Sequence, residues 1–312
     1  MMPTKKSLKI ATRSSVLAMQ QANTVKTALE SKFSDYIFEL YVVDSEIGDL
    51  NKDKPLAGLG LGVFVKSIEQ ALLNKTADIA VHSLKDVPTI LTYGLEIVAY
   101  MEREDARDVL VSRFNCQFDK LPERSSIGTS SPRRTAQIVS ERKDLEIIPI
   151  RGNVPTRLNK IQDLECDSVI LAAAGLIRLG LEDKVTQYLP INSFIPAPGQ
   201  GIIGVQIRSE DTECLQLVRQ LDNKDSRACA TAERTFLKLL GSGCQLPVGA
   251  HGVVKNECLE LHVSVANIEE GTSFFNSETG DINNPEKLAK DIKLKLERSG
   301  AKEIINQFME NN

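Results

Sequence analysis

The chain has 312 residues, 42% hydrophobic and 26% charged, which is enough for two or three domains with real cores and excludes disorder, collagen and a small disulfide-stapled module. Its 38 basic and 42 acidic residues leave a formal charge of −4, so the global field does not favour nucleic acid, and any polyanion must be held by a local patch. The longest strongly apolar stretch, Val169 to Ile177, falls far short of the roughly 20 residues a bilayer crossing needs, and the first residues lack the apolar block of a secretory signal; the expectation is a cytoplasmic protein with no membrane or nucleic-acid partner.

Along the first hundred residues, strand-like and helix-like segments alternate. Leu8 to Ala11 is a short apolar run, Ser15 caps a helix carrying Val16, Leu17, Ala18, Val25 and Leu29, and Phe38 to Val43 alternates like a strand. After a glycine-rich loop come a helix with Val65, Ile68, Ala71 and Leu72 on one face, a strand at Asp78 to Val81 and another at Leu95 to Tyr100. This order predicts a mainly parallel α/β sheet covered on both faces. The charged run from Met101 to Asp108 is a hinge candidate. Beyond it the alternation restarts, with strands at Val109 to Val111, Ile127, Leu145 to Ile150 and Ser168 to Ala172, and helices at Pro132 to Lys143 and Val154 to Leu164. The run Ile195-Pro196-Ala197-Pro198-Gly199-Gln200-Gly201 marks a second crossing, after which Gly204 to Arg208 is expected to return to the first sheet. A helix from Asp225 to Leu240, strands around Val248 to Val254, Leu259 to Val265 and Ser273 to Glu278, and an amphipathic helix from Pro285 predict a small α+β domain. The division read from this pattern is 1–101 with 201–219, then 106–196, then 224–312.

Two glycine patterns do not carry nucleotide chemistry. Gly199 to Gly204 matches GxGxxG, but prolines precede it and a β-like run follows, whereas a dinucleotide site needs a strand before and a helix after. Gly58 to Gly62 lacks the Lys-Ser/Thr end of a P-loop.

The arginines are more informative. Arg13 alone precedes residue 100, whereas Arg103, Arg107, Arg113, Arg124, Arg133, Arg134, Arg142, Arg151 and Arg157 crowd the next sixty positions. Gly128-Thr129-Ser130-Ser131-Pro132-Arg133-Arg134 places hydroxyls at a strand exit, Ser131 at a helix cap and Pro132 at the first helical position. Free N–H groups at such a start suit an anion. Arg151-Gly152-Asn153 ends the next strand and Arg157 lies a turn further on, so Arg133, Arg134, Arg151 and Arg157 are expected to line one cleft; the competing reading is a solvated basic face with ordinary capping. The first domain offers Val81-His82-Ser83-Leu84-Lys85-Asp86-Val87-Pro88 after an apolar strand, where Asp86 is either a surface ion paired with Lys85 or a catalytic acid. His82 reads as a packing histidine, and His251 and His262 form no metal site. The six cysteines show no CxxC pair; Cys166 and Cys258 read as structural, while Cys244, on Gly241-Ser242-Gly243-Cys244-Gln245, is either a plain loop thiol or a reactive one.

In order along the chain, Ile10 to Ser15 with Leu17-Ala18 and Gln20, His82 to Pro88, Arg103-Glu104-Asp105 with Arg107-Asp108, Gly128 to Arg134, Arg151-Gly152-Asn153 with Thr156-Arg157-Leu158, Ala174 to Leu176 with Arg178 to Gly180, Pro198 to Gly201, Ala232 to Arg234 and Gly243 to Gln245 give the chain its specificity. With these blocks it resembles the hydroxymethylbilane synthase (porphobilinogen deaminase) family over essentially its whole length.

The resemblance implies two periplasmic-binding-protein-like α/β domains and a small α+β C-terminal domain. It also implies a monomeric transferase of haem and porphyrin biosynthesis that deaminates four porphobilinogen molecules and joins them head to tail, passing its product to uroporphyrinogen-III synthase. The dipyrromethane cofactor would be held by a thioether to Cys244. Asp86 would match the catalytic carboxylate, with Ser83, Lys85, Thr129, Ser130, Ser131, Arg133, Arg134, Arg151 and Arg157 on the cofactor and Arg13, Ser15, Phe64 and Arg178 on substrate; no metal is implied. Leu61 stands where the family usually has lysine, Ser67 where glutamate is common, and Ala106 in place of a common hinge proline. The rival function is a non-catalytic anion-binding module of the periplasmic type.

Overall fold

Short strands, those at the sheet centres buried along nearly their whole length, build three separate sheets in the computed structural model, which describes residues 5–43, 63–241, 247–268 and 271–310. The glycine-rich Gly58 to Gly62 run, Leu61 included, and Cys244 lie outside the described residues. The chain divides into two units, residues 1–103 with 202–227 and residues 104–201 with 228–312.

In the first unit, β1 (Lys6–Thr12), β2 (Tyr36–Val42), β3 (Ile79–Ser83), β4 (Leu95–Tyr100) and β10 (Ile203–Arg208) make one sheet of order β2-β1-β3-β10-β4. The first three run parallel, with Ile10 opposite both Leu40 and Ile79, as strands joined by helical crossovers do. The crossovers contain α1 (Val16–Glu30) and α2 (Val63–Leu73). Because successive side chains on a strand point to opposite faces, Ile10, Ile79 and Val81 join Val25 and Leu29 of α1 in one core, while Ala11 and Ala80 join Ile68 and Leu72 of α2 in another. The expected return of residues 204–208 is observed: β10 inserts antiparallel between β3 and β4.

In the second unit, β5 (Asp108–Ser112), β6 (Ser126–Gly128), β7 (Glu146–Ile148), β8 (Ser168–Ala172) and β9 (Gln187–Tyr188) form a sheet of order β7-β6-β8-β5-β9. It repeats the first layout, with three parallel strands and then a strand entering antiparallel straight from a chain crossing. Four strands of each sheet run one way and a single strand, β10 or β5, runs against them, so the mainly parallel expectation holds with one reversed strand in each sheet, whose direction the pattern alone does not carry. α3 (Pro132–Glu141), α4 (Val154–Gln162) and α5 (Ala173–Arg178) follow β6, β7 and β8. The sequence pattern missed β9, α5 and the helix α6 (Thr212–Val218), which are too short to show a period.

The remaining chain gives α7 (Lys224–Leu239) and an antiparallel sheet of β11 (Val248–Lys255), β12 (Cys258–Asn267) and β13 (Thr272–Asp281). α8 (Pro285–Leu296) and α9 (Lys302–Glu310) close it, with a break at Gly300, whose φ is 108°. Phe236, Leu261, Val263 and Ile292 share its core. Glu233 of α7, fully buried, accepts the N–H groups of Gly199 and Gly252, both at 2.7 Å, and so ties this sheet to the second crossing. Cys258 is exposed at the start of β12, against its reading as a core residue, because it stands beside the turn at Asn256 and Glu257.

A Cβ at Gly249 would stand 2.8 Å from the Ile195 carbonyl oxygen and 2.7 Å from Ser264 Oγ. Gly249→Ala should therefore cost about 1–3 kcal/mol by overpacking, read as a lower urea midpoint with unchanged circular dichroism of the folded protein.

Candidate functional site

The first unit presents Asp86 at the exit of β3. Ser83 ends the strand and Leu84–Asp86 forms one tight turn, fixed by fully buried Leu84 and by its N–H donating to the Ile202 carbonyl at 3.0 Å. That anchor leaves Lys85 half-buried and Asp86 exposed. Arg13, just past β1, is half-buried and within electrostatic reach: burial lowers its pKa and the Asp86 carboxylate pulls it back up. Asp86 thus has a cation from another strand exit. Ser15 is the N-cap of α1, its Oγ accepting the Ala18 N–H at 3.4 Å. The residue that reaches Ser83 is Gln21, with side-chain distances of 2.8 and 3.1 Å; Gln21 is buried, whereas Gln20, the glutamine of the sequence block, is exposed. The buried face of α1 takes in Gln21 and Ala22 and leaves Gln20 outside it, a division that sequence spacing alone did not make. Phe64 lies in the first turn of α2.

His82 is buried and hydrogen-bonded to Gln206 at 3.0 Å, as expected of a packing histidine. Gly199 and Gly201 have φ of 78° and 87°, and a Cβ at Gly204 would approach Leu84 to 3.2 Å. A strand follows them, so they serve the crossing and not a nucleotide.

In the second unit, the Gly128 to Arg134 segment forms the predicted helix start. Ser131 caps α3 by accepting the Arg134 N–H at 3.4 Å, Pro132 follows, Thr129 Oγ1 accepts the Ser131 N–H at 3.2 Å, and Ser130 donates to the Ile150 carbonyl at 2.7 Å. Ser130 thereby links this start to the next strand exit. There Asn153 caps α4, Gly152 adopts φ 110° in a space that a Cβ would take from Thr156, and Arg157 Nε donates to the Gly152 carbonyl at 2.8 Å. Arg151 is exposed beside them.

Arg133 and Arg134 depart from the expected open cleft. Both guanidiniums are buried on Asp108: Arg133 reaches Oδ2 and Arg134 Oδ1, each at 2.8 Å. Arg133 also donates to the Ile195 carbonyl, and Arg134 to that of Ile170. The physical reason is Asp108 itself, a fully buried carboxylate at the start of β5 that must be compensated. Burial alone would raise its pKa; the two guanidiniums reverse this and hold it well below its ordinary range. Gln200 adds a bond to Asp108 Oδ1 at 2.8 Å and one to the Ala106 carbonyl at 2.7 Å. Arg134 Nε is buried without a hydrogen-bond partner among the described residues, a donor in reserve at this helix start. Arg178, at the end of α5, donates to the Gly201 carbonyl at 2.6 Å; burial lowers its pKa and Glu104 raises it.

Sequence reasoning missed Asp108, Gln200 and Gln21 as site builders. The signal for Asp108 was present: an acid opening an apolar strand, with two arginines at the next helix start.

Among the described residues no group of acidic, histidine and cysteine side chains is arranged to hold a metal, and no helix is long and apolar enough to cross a membrane. The five described cysteines form no disulfide. Each unit of this mixed α/β protein thus presents strand exits beside capped helix starts, the first with the exposed Asp86 and half-buried Arg13, the second with the exposed Arg151 and half-buried Arg157. The dipyrromethane cofactor binding domain of porphobilinogen deaminase matches residues 8–216, and the C-terminal domain of that family matches residues 227–298. The chain belongs to the porphobilinogen deaminase family. It is 43% identical to the porphobilinogen deaminase of Syntrophobacter fumaroxidans over 98% of this chain and 99% of the relative, and 42% identical to that of Carboxydothermus hydrogenoformans over 97% and 98%. Periplasmic-type binding proteins are among the structural neighbours; the methionine binding protein MetQ has TM-score 0.44 at 12% identity, covering 69% of this chain and 89% of that one.

Asp108→Asn should destabilise the protein by about 3–5 kcal/mol, because it strands two buried guanidiniums. In the unmodified protein the depressed carboxylate contributes stability that is complete above its ordinary value of 3.8 and is lost as the pH falls below it. Urea denaturation from pH 6 down to pH 2 should show an acid loss that is smaller in the variant than in the unmodified protein, the difference opening below pH 4.

Proposed function

We propose that the protein deaminates porphobilinogen and joins four units head to tail into hydroxymethylbilane, in haem and porphyrin biosynthesis. The observation that carries the chemistry is the exposed Asp86 carboxylate on a rigid turn, with Arg13 as its cation. When porphobilinogen loses ammonia, the C–N electron pair leaves with nitrogen and the methylene stays cationic. The pyrrole carbon that attacks it also passes through a positive ring before releasing its proton. A fixed carboxylate favours both cations over the neutral ground state and can move the protons.

Dipyrromethane, when bound, supplies the free pyrrole end on which the chain begins. The residues present fit it: its carboxylates call for N–H and hydroxyl donors, and the α3 start offers Thr129, Ser130, Ser131 and the unpartnered Arg134 Nε. Arg151 and Arg157 supply charge at the α4 start, Arg133 adds buried positive charge, and Ser83 and Lys85 complete the cofactor set. Arg13, Ser15, Phe64 and Arg178 form the substrate set. Charge-assisted bonds of this kind contribute about 1.5–3 kcal/mol each. The thioether to Cys244, a monomeric cytoplasmic protein, transfer of product to uroporphyrinogen-III synthase, and three domains at 1–101 with 201–219, 106–196 and 224–312 belong to the same reading. A purely anion-binding module leaves the placement of Asp86 without a use.

Incubation with porphobilinogen should release ammonia and yield uroporphyrin I after spontaneous closure and oxidation. Asp86→Asn should keep fold and cofactor but lower kcat by about 100-fold or more; near-normal turnover would sink the assignment. Intact-mass spectrometry should find the polypeptide heavier by two linked pyrrole rings, with the added mass on the Gly241 to Pro247 peptide and absent from Cys244→Ser. Mass on Cys116, Cys166, Cys214, Cys229 or Cys258, or none, refutes the attachment.

A further inference from the structure

Behind the Asp86 turn, a line of neutral and acidic side chains runs through the first unit. His82 Nε2 lies 3.0 Å from Gln206 Oε1, Gln206 Nε2 donates to Glu69 Oε1 at 2.9 Å, and Thr92 Oγ1 donates to Glu69 Oε2 at 2.6 Å. His82, Gln206 and Glu69 are all buried. The carboxylate of Glu69 can only accept, so the Gln206 amide must turn its nitrogen toward Glu69 and its oxygen toward His82. That oxygen can only accept in turn, and the proton between them must sit on His82 Nε2. Reversing the amide would set its oxygen against the carboxylate.

The line has an anchor on each side of the turn. Ser83 and His82 point to opposite faces of β3: Ser83 is held by Gln21 of α1, and His82 is held through Gln206 to Glu69 of α2. The two residues directly before the Leu84–Asp86 turn are therefore pinned from both faces of the sheet.

We propose that His82 is a positioning residue for Asp86, locked by Gln206 and Glu69 as the neutral Nε2–H tautomer so that the turn carrying the carboxylate has one orientation. The inference rests on the assignment of Asp86 given above. Burial pushes the imidazole below its ordinary pKa, while Gln206, Glu69 and Asp86 pull the other way. His82 touches no reacting atom; it acts through the backbone of residues 83–86, where a misplacement near 1 Å costs about 100-fold in rate.

The chain has three histidines, so ¹⁵N NMR of the holoenzyme assigns His82 by its loss in His82→Gln. At neutral pH His82 should show a protonated Nε2 and a bare Nδ1; the opposite tautomer or an imidazolium overturns the proposal. His82→Leu should lower kcat about 100-fold with KM little changed, and His82→Gln, whose amide can still donate to Gln206, should recover most of that loss. In an Asp86→Asn background, His82→Leu should add almost nothing, because it works through Asp86; a full further loss there makes His82 a general structural residue. If His82→Leu fails to fold, Gln206→Leu makes the same test, and wild-type kcat in a folded Gln206→Leu rejects the line. Full activity of Asp86→Asn would instead remove the functional assignment and leave the tautomer measurement standing.

Discussion

The buried carboxylate of Asp108 is the constraint around which the second unit is arranged. Its two oxygens receive Arg133, Arg134 and Gln200, and these come from the start of α3 and from the second chain crossing. A carboxylate with no exposed surface would be too costly without such partners, and either guanidinium alone would be costly too. Together they fix where β5 begins, where α3 begins and where the chain turns back. Arg133 and Gln137 also converge on the Ile195 carbonyl, so the proline-rich crossing is held by the same cluster. Glu233 repeats the device a few residues on, spending a buried carboxylate on the N–H groups of Gly199 and Gly252.

The repeated sheet order gives the crossings their meaning. In each sheet a strand that follows directly on a crossing, β5 or β10, inserts antiparallel beside the third parallel strand. A strand in that position is paired on both sides and cannot be peeled away without breaking the sheet centre. The segments next to it are therefore well placed to carry side chains whose geometry must not drift. Arg178 on the Gly201 carbonyl and Leu84 on the Ile202 carbonyl use that rigidity.

Much of this was legible in the sequence where the signal was periodic or chemical. The strand-helix alternation, the Ser131-Pro132 start of α3 and the Asn153 cap of α4 follow from local rules that operate within a few residues. The failures were of another kind. Strand direction in β5 and β10 depends on which sheet the chain rejoins, a fact no local window contains. The burial of Arg133 and Arg134 depends on Asp108, some 25 residues earlier in the chain. The choice of Gln21 over Gln20 depends on the helix face, which the weak apolar pattern of Gln20-Gln21-Ala22 did not settle. Gln206 and Glu69 sit in apolar segments and are unremarkable until His82 is seen between them and the turn.

Asp86 and Asp108 show two solutions to placing the same side chain. Asp108 is surrounded by donors, so its charge is fully committed to structure and unavailable for chemistry. Asp86 is exposed and leaves capacity for a cation that arrives during a reaction, which requires that the backbone and not its own hydrogen bonds hold it still. A carboxylate tied up by two guanidiniums would gain little from a third positive charge, since the field it offers is already cancelled. Rigid backbone with an under-compensated carboxylate is the combination that favours a transient cation over the neutral molecule it came from, because the site need not reorganise when the charge appears. The amide and imidazole line behind β3 fits that need: it adds stiffness to the turn without bringing a second cation to the carboxylate.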